Sequence, residues 1–82
     1  MQGITRKHSL TLAGHRTSVS LEQPFWQAFQ ECAAREGISV NALAERIDTA
    51  RLRAGRRDMN LSAAIRLHVL EDLQTRLRMA LE

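Results

Sequence analysis

At 82 residues the chain has room for one domain (1–82) and a modest core, a size at which association with a second copy is a common way to bury apolar surface. Hydrophobic residues at 44% and charged residues at 26% exclude a disordered chain, and no run approaches the roughly 18 apolar residues of a membrane-spanning helix. The net charge of +3 is unevenly spread: residues 1–21 carry Arg6, Lys7 and Arg16 with no acid, residues 22–50 sum to −3, residues 51–57 carry four arginines, and residues 58–82 sum to −1. Two basic blocks flanking an acidic helical segment suit a surface that meets a polyanion. Met1 to Leu12 has no continuous apolar stretch of the kind a signal peptide needs, so the chain reads as a bacterial cytoplasmic protein.

The first patterned stretch is residues 5–12, where Lys7, Ser9 and Thr11 fall on one face and His8, Leu10 and Leu12 on the other. Ala13-Gly14 interrupts it. These residues are either a first strand, turning back through a tight glycine-containing connection, or an extended arm. Residues 15–22, His-Arg-Thr-Ser-Val-Ser-Leu-Glu, alternate strictly. Thr17, Val19 and Leu21 point one way, and Arg16, Ser18 and Ser20 the other. A lone strand leaves its backbone groups unpaired along both edges, so this one needs a partner.

The rest reads as helix. Glu22 is placed to cap a helix over 23–36, with Pro24 in the first turn and Phe25, Ala28, Phe29, Cys32 and Ala33 recurring at helical spacing beside Trp26. Gly37 ends it. Ser39 then caps a helix over 39–52, with Val40, Leu43, Ala44, Ile47 and Ala50 on its apolar face. An arginine-rich loop, 53–59, contains Gly55 as the stop. Asn60 caps a third helix over 61–80. Leu61, Ala64, Ile65, Val69, Leu73 and Leu77 make its stripe, widened by Leu67, Leu70 and Leu81. So much apolar helix on so small a chain implies a partner.

Chemistry-bearing constellations are few. Cys32 is alone and lies among apolar neighbours, as a buried thiol in a reducing compartment would. His8, His15 and His68 lack metal-ligand spacing, and there is no nucleophile elbow or glycine-rich phosphate loop. The chain is therefore expected to be no enzyme and to need no cofactor or metal. Arg51, Arg53, Arg56 and Arg57 read as a solvated loop, and His68 as a packing residue.

A strand, a helix, a Gly-x-Ser turn and a second helix, carried by Arg16 to Glu22, Phe25-Trp26 and Gly37-Ile38-Ser39-Val40-Asn41-Ala42-Leu43, resemble the ribbon-helix-helix family of bacterial DNA-binding proteins. The His-Arg-Thr-Ser-Val-Ser-Leu-Glu strand and Asn60-Leu61-Ser62 in the third helix extend the resemblance to a small subfamily, over roughly residues 15–73. The resemblance implies a mainly α fold with a short strand or N-terminal β-hairpin, a third helix, and an intertwined homodimer. In such a dimer two strands from two chains pair as an antiparallel ribbon that enters the major groove of double-stranded DNA. Arg16, Ser18 and Ser20 would reach base edges. Ser39, with the free N–H groups of Val40 and Asn41 at a helix N-terminus, would hold a phosphate, joined by Lys7 and His15. If residues 5–12 pair beside 15–22 in both chains, the dimer's sheet has four strands and a backbone about 14 Å wide, against a groove about 12 Å wide. As an arm they would place Arg6 and Lys7 on phosphates.

The expected function is that of a sequence-specific transcriptional regulator binding as a homodimer. The alternative is a protein-interaction dimer, antitoxin-like or scaffold-like, whose C-terminal helix grips a partner protein.

Overall fold

The computed structural model describes residues 4–82. Two strands, β1 (Thr5–Leu12) and β2 (His15–Glu22), form an antiparallel hairpin, and three helices follow: α1 (Gln23–Glu36), α2 (Val40–Arg53) and α3 (Leu61–Leu81). Residues 5–12 are thus a strand and not an arm. Their turn is Ala13-Gly14, with φ of 51° and 80°. Two consecutive left-handed residues make a loop whose twist matches that of the flanking strands. Gly14 adopts this conformation freely. Ala13 costs roughly 1–2 kcal/mol there, because its Cβ crowds the following carbonyl.

An isolated two-stranded hairpin is marginal in water, so its apolar face must be held. The register pairs His8 with Val19, Leu10 with Thr17 and Arg6 with Leu21, which puts His8, Leu10, Leu12, Thr17, Val19 and Leu21 on one side. Leu10, Val19 and Leu21 are buried on that side against Phe29, Cys32 and Ala33 of α1, Leu43, Ala44 and Ile47 of α2, and Ala64, Ile65 and Val69 of α3. Full burial of a residue such as Leu21, Phe29, Leu43 or Ile65 contributes about 1.5–3 kcal/mol each. Thr17 shares the face but is exposed, as the strand runs out toward the turn beyond the helices. His8 stacks on Trp26, with ring centroids 4.0 Å apart and planes 8° apart, while its buried Nε2 finds no partner among the described residues.

The helix signals fall close to the positions their residues imply. Ser39 Oγ accepts the Ala42 N–H at 3.0 Å, and Asn60 Oδ1 accepts the Ala63 N–H at 2.8 Å. Gly37, with φ of 70°, closes α1: its N–H donates to Ala34 O and that of Ile38 to Ala33 O, both at 3.1 Å. α2 runs one residue beyond the expected Leu52, to Arg53. Glu22 occupies the N-cap position of α1, but its side chain makes no cap bond. It is taken instead by Arg66 of α3, whose Nε lies 2.9 Å from Glu22 Oε1.

α3 divides in two. Its first turns are built into the core through Ala64, Ile65 and Val69. Past Val69 the helix has little to lie on, and Leu70, Leu73, Leu77 and Leu81 are exposed, Leu77 by 61% and Leu81 by 78%. Among the described residues no helix is long and apolar enough to cross a membrane.

Candidate nucleic-acid interface

The second face of the hairpin looks away from the helices. Its cross-strand rows, counted from the turn, are Thr11 with Arg16, Ser9 with Ser18, and Lys7 with Ser20. All six are exposed except Ser20, which is half-buried. These three rows contain two cations and no acid. The next row, Thr5 with Glu22, brings the first carboxylate, already engaged by Arg66. Arg66 donates to Glu22 and, with a backbone hydrogen bond, holds its carboxyl below the ordinary glutamate value. The structure therefore brings Arg16, Ser18 and Ser20 onto one face, as the alternation implied. It puts Lys7 there too, opposite Ser20, and not on a free arm. His15 sits at the tip, exposed and opposite Leu12.

The hairpin's edges are as informative as its face. A two-residue loop makes Leu12 and His15 a hydrogen-bonded pair, so the alternate pairs turn their backbone groups outward. Three such groups are met. The Thr11 N–H donates to Asn41 Oδ1 at 3.1 Å, which seats the N-terminus of α2 beside β1 near the turn. On the other edge the Ser20 N–H donates to Ser62 Oγ at 3.1 Å, and Arg66 Nη2 donates to Ser20 O at 3.2 Å. β2 is thus paired with β1 along one edge and closed by α3 at Ser20 along the other. Within the chain, β1 is the strand that lies beside β2. The strand contacts of Ser62 and Arg66 leave no mark in the local sequence pattern, since they lie 42 to 46 residues away in sequence. Ser9 and Thr11 did carry a signal, the alternation of residues 5–12, but no register.

Ser39, Val40 and Asn41 begin α2. The first intrahelical bond is that of Leu43 N–H to Ser39 O at 3.0 Å, and Ala42 N–H is taken by the cap, leaving the Val40 and Asn41 amides ahead of it. The Thr11–Asn41 bond places those amides to the side of the hairpin, at the level of its first row. The arginine-rich segment divides by role. Arg51 is structural: it bonds Asp48 Oδ1 at 2.6 Å and Met59 O at 2.8 Å, pinning the loop that leads into α3. Arg53, Arg56 and Arg57 are exposed. Cys32 is buried, its thiol pushed up to about 11, chiefly by desolvation and then by a hydrogen bond with Asp72.

No curated protein matches the chain, and no solved structure does. A family model described as a ribbon-helix-helix domain matches residues 5–73, a span that opens with β1 and ends within α3. The match takes in the hairpin, both following helices and the core-forming part of the third, so the chain belongs to the ribbon-helix-helix domain family.

Proposed function

We propose that the chain binds double-stranded DNA sequence-specifically and acts as a transcriptional regulator, laying the polar face of its hairpin in the major groove. The observation that carries this is the face itself: Arg16, Ser18 and Ser20 along one strand, with basic and hydroxyl residues opposite and no acid in the first three cross-strand pairs. Arg16 suits the O6 and N7 acceptors of guanine, and the serines can donate to or accept from several bases. Lys7, His15 and the Ser39–Asn41 helix start flank the face and suit phosphates, through charge or through free amides. Membership of a family of DNA-binding regulators and antitoxins supports the same reading. Titration of duplex DNA at increasing salt tests it: log K should fall steeply with log salt, and Arg16→Ala should weaken a specific site by about 1–3 kcal/mol. No complex with any duplex fragment at low salt would sink it.

A second reading is favoured by the distal half of α3. Its exposed leucines suit a partner protein's apolar helix, as in an antitoxin-like or scaffold dimer. Replacing Leu73 and Leu77 with Gln leaves the core residues of α3 untouched. A stoichiometric partner, or self-association, present in the parent chain and lost in that variant supports this reading. A sedimentation profile unchanged by the substitutions counts against it.

A further inference from the structure

We infer that the outward face of α3 is a contact for a second copy of this chain, made by two α3 helices lying antiparallel about Gln74, with Glu71 of each copy beside Arg78 of the other. This rests on the second reading above and names its partner as the chain itself.

The spacing of the face comes first. Leu67, Leu70, Gln74, Leu77 and Leu81 are all exposed and follow one another at alternating intervals of three and four residues. That is the spacing of a seam along which one helix packs on another. At 3.6 residues per turn they lie about 120–180° round the helix from Ile65, which is wholly buried. α3 is therefore apolar on two sides, one built into the core and the other turned from it. A copy docked on the outward side leaves the two bodies on opposite sides of the helix pair, where they do not collide.

The charges choose the occupant and its direction. Glu71 and Arg78 flank the seam on one edge, a heptad apart and opposite in sign. Both are exposed, and neither has an ion-pair partner among the described residues. On the core side of α3 the charges are already engaged, Asp72 with Arg35 and with Arg76. Antiparallel pairing about Gln74 sets Leu67 of one copy beside Leu81 of the other, Leu70 near Leu77, and Glu71 near Arg78, each contact made twice by the two-fold symmetry. The two Gln74 amides, each both donor and acceptor, meet at the axis. Parallel pairing keeps the leucines together but sets Glu71 on Glu71 and Arg78 on Arg78, which repel. A seam complementary to itself only when reversed fits a two-fold mate. It is short, about four turns of helix, so the pairing dissociates: dilute chains are bare at this face and concentrated ones are paired.

Sedimentation equilibrium over a range of chain concentrations reads the contact. Any association through the hairpin is common to parent and variants, so the step that α3 substitutions remove belongs to α3. Leu70→Gln with Leu77→Gln should abolish that step while circular dichroism shows the helix content kept. Glu71→Arg and Arg78→Glu, both at exposed positions, should each weaken it by about tenfold, and the two together should restore it, because the double exchange rebuilds both pairs in reverse. An association indifferent to the leucines overturns the proposal. So does a double exchange no stronger than either single variant, since only a reversed second copy carries the compensating charge. If the isolated chain shows no α3 step but a foreign protein binds stoichiometrically through Leu70 and Leu77, the second reading stands and the second copy is wrong. If neither contact depends on those leucines, both fail.

Discussion

The two halves of α3 carry the same apolar spacing and meet opposite fates. From Leu61 to Val69 the stripe is built into the core, with Ile65 wholly buried. From Leu70 to Leu81 it faces outward, Leu73 exposed by 45% and Leu77 by 61%. Spacing says that a helix has an apolar side. Whether that side is buried depends on what stands across from it: apolar residues of α1, α2 and β2 face the first half, whereas past Val69 the contact with α1 is polar, Asp72 with Arg35. The proximal half also reaches the hairpin with polar groups, Ser62 and Arg66, which the distal half does not.

The largest expected effect is in the proximal core. Ile65→Ala should lower the unfolding free energy by about 2–5 kcal/mol in urea denaturation, and the same cost at Leu77 would erase the contrast between the halves. Next comes Arg66→Ala, which removes the donor to Glu22 and to Ser20 O together. Because Arg66 lowers the Glu22 pKa, that contribution is present at neutral pH and is lost as pH falls below about 4.5, the ordinary glutamate value, and through the lowered one. The variant should therefore be less stable than the parent at pH 7, with the gap narrowing in acid; a gap that widens in acid would contradict the pairing. Ser62→Ala leaves the part-buried Ser20 N–H without its acceptor and should cost about 1 kcal/mol. Smallest of all, Leu73→Gln with Leu77→Gln should change thermal stability by no more than about 0.5 kcal/mol, as for surface sites away from packing. A large loss there would mean that the distal stripe is covered in the native protein.

Much of this fold is written locally. Ser39, Gly37 and Asn60 mark helix ends with their own side chains or backbone freedom, and the 3.6-residue recurrence through Phe29, Cys32, Leu43, Ile47 and Ile65 marks the inward faces. Alternation likewise marked the two faces of both strands. What alternation cannot carry is the identity of the neighbour along an edge, because a period of two says where side chains point and nothing about which backbone lies alongside. Ala13-Gly14 gave only a weak turn signal, since the loop wants left-handed residues at both positions and Ala is a poor one. The candidate reading face was thus half legible: Arg16, Ser18 and Ser20 from the second strand, but not their registration against Thr11, Ser9 and Lys7. Glu22 shows the same limit from another side. Its position fitted a helix cap, while its side chain was claimed by an arginine far along the chain.

The bonds from Ser62 and Arg66 to β2 carry a consequence for the order of assembly. A ribosome delivers the hairpin and α1 well before the residues that guard the strand's second edge, which lie 42 and 46 positions downstream of Ser20. Until α3 docks, the nascent protein presents a bare strand edge with an apolar face beneath it, the combination most prone to sheet extension between neighbouring chains. Late closure makes α3 a built-in chaperone for the hairpin. Its docking covers that edge at Ser20 and completes the core over the hairpin's apolar face.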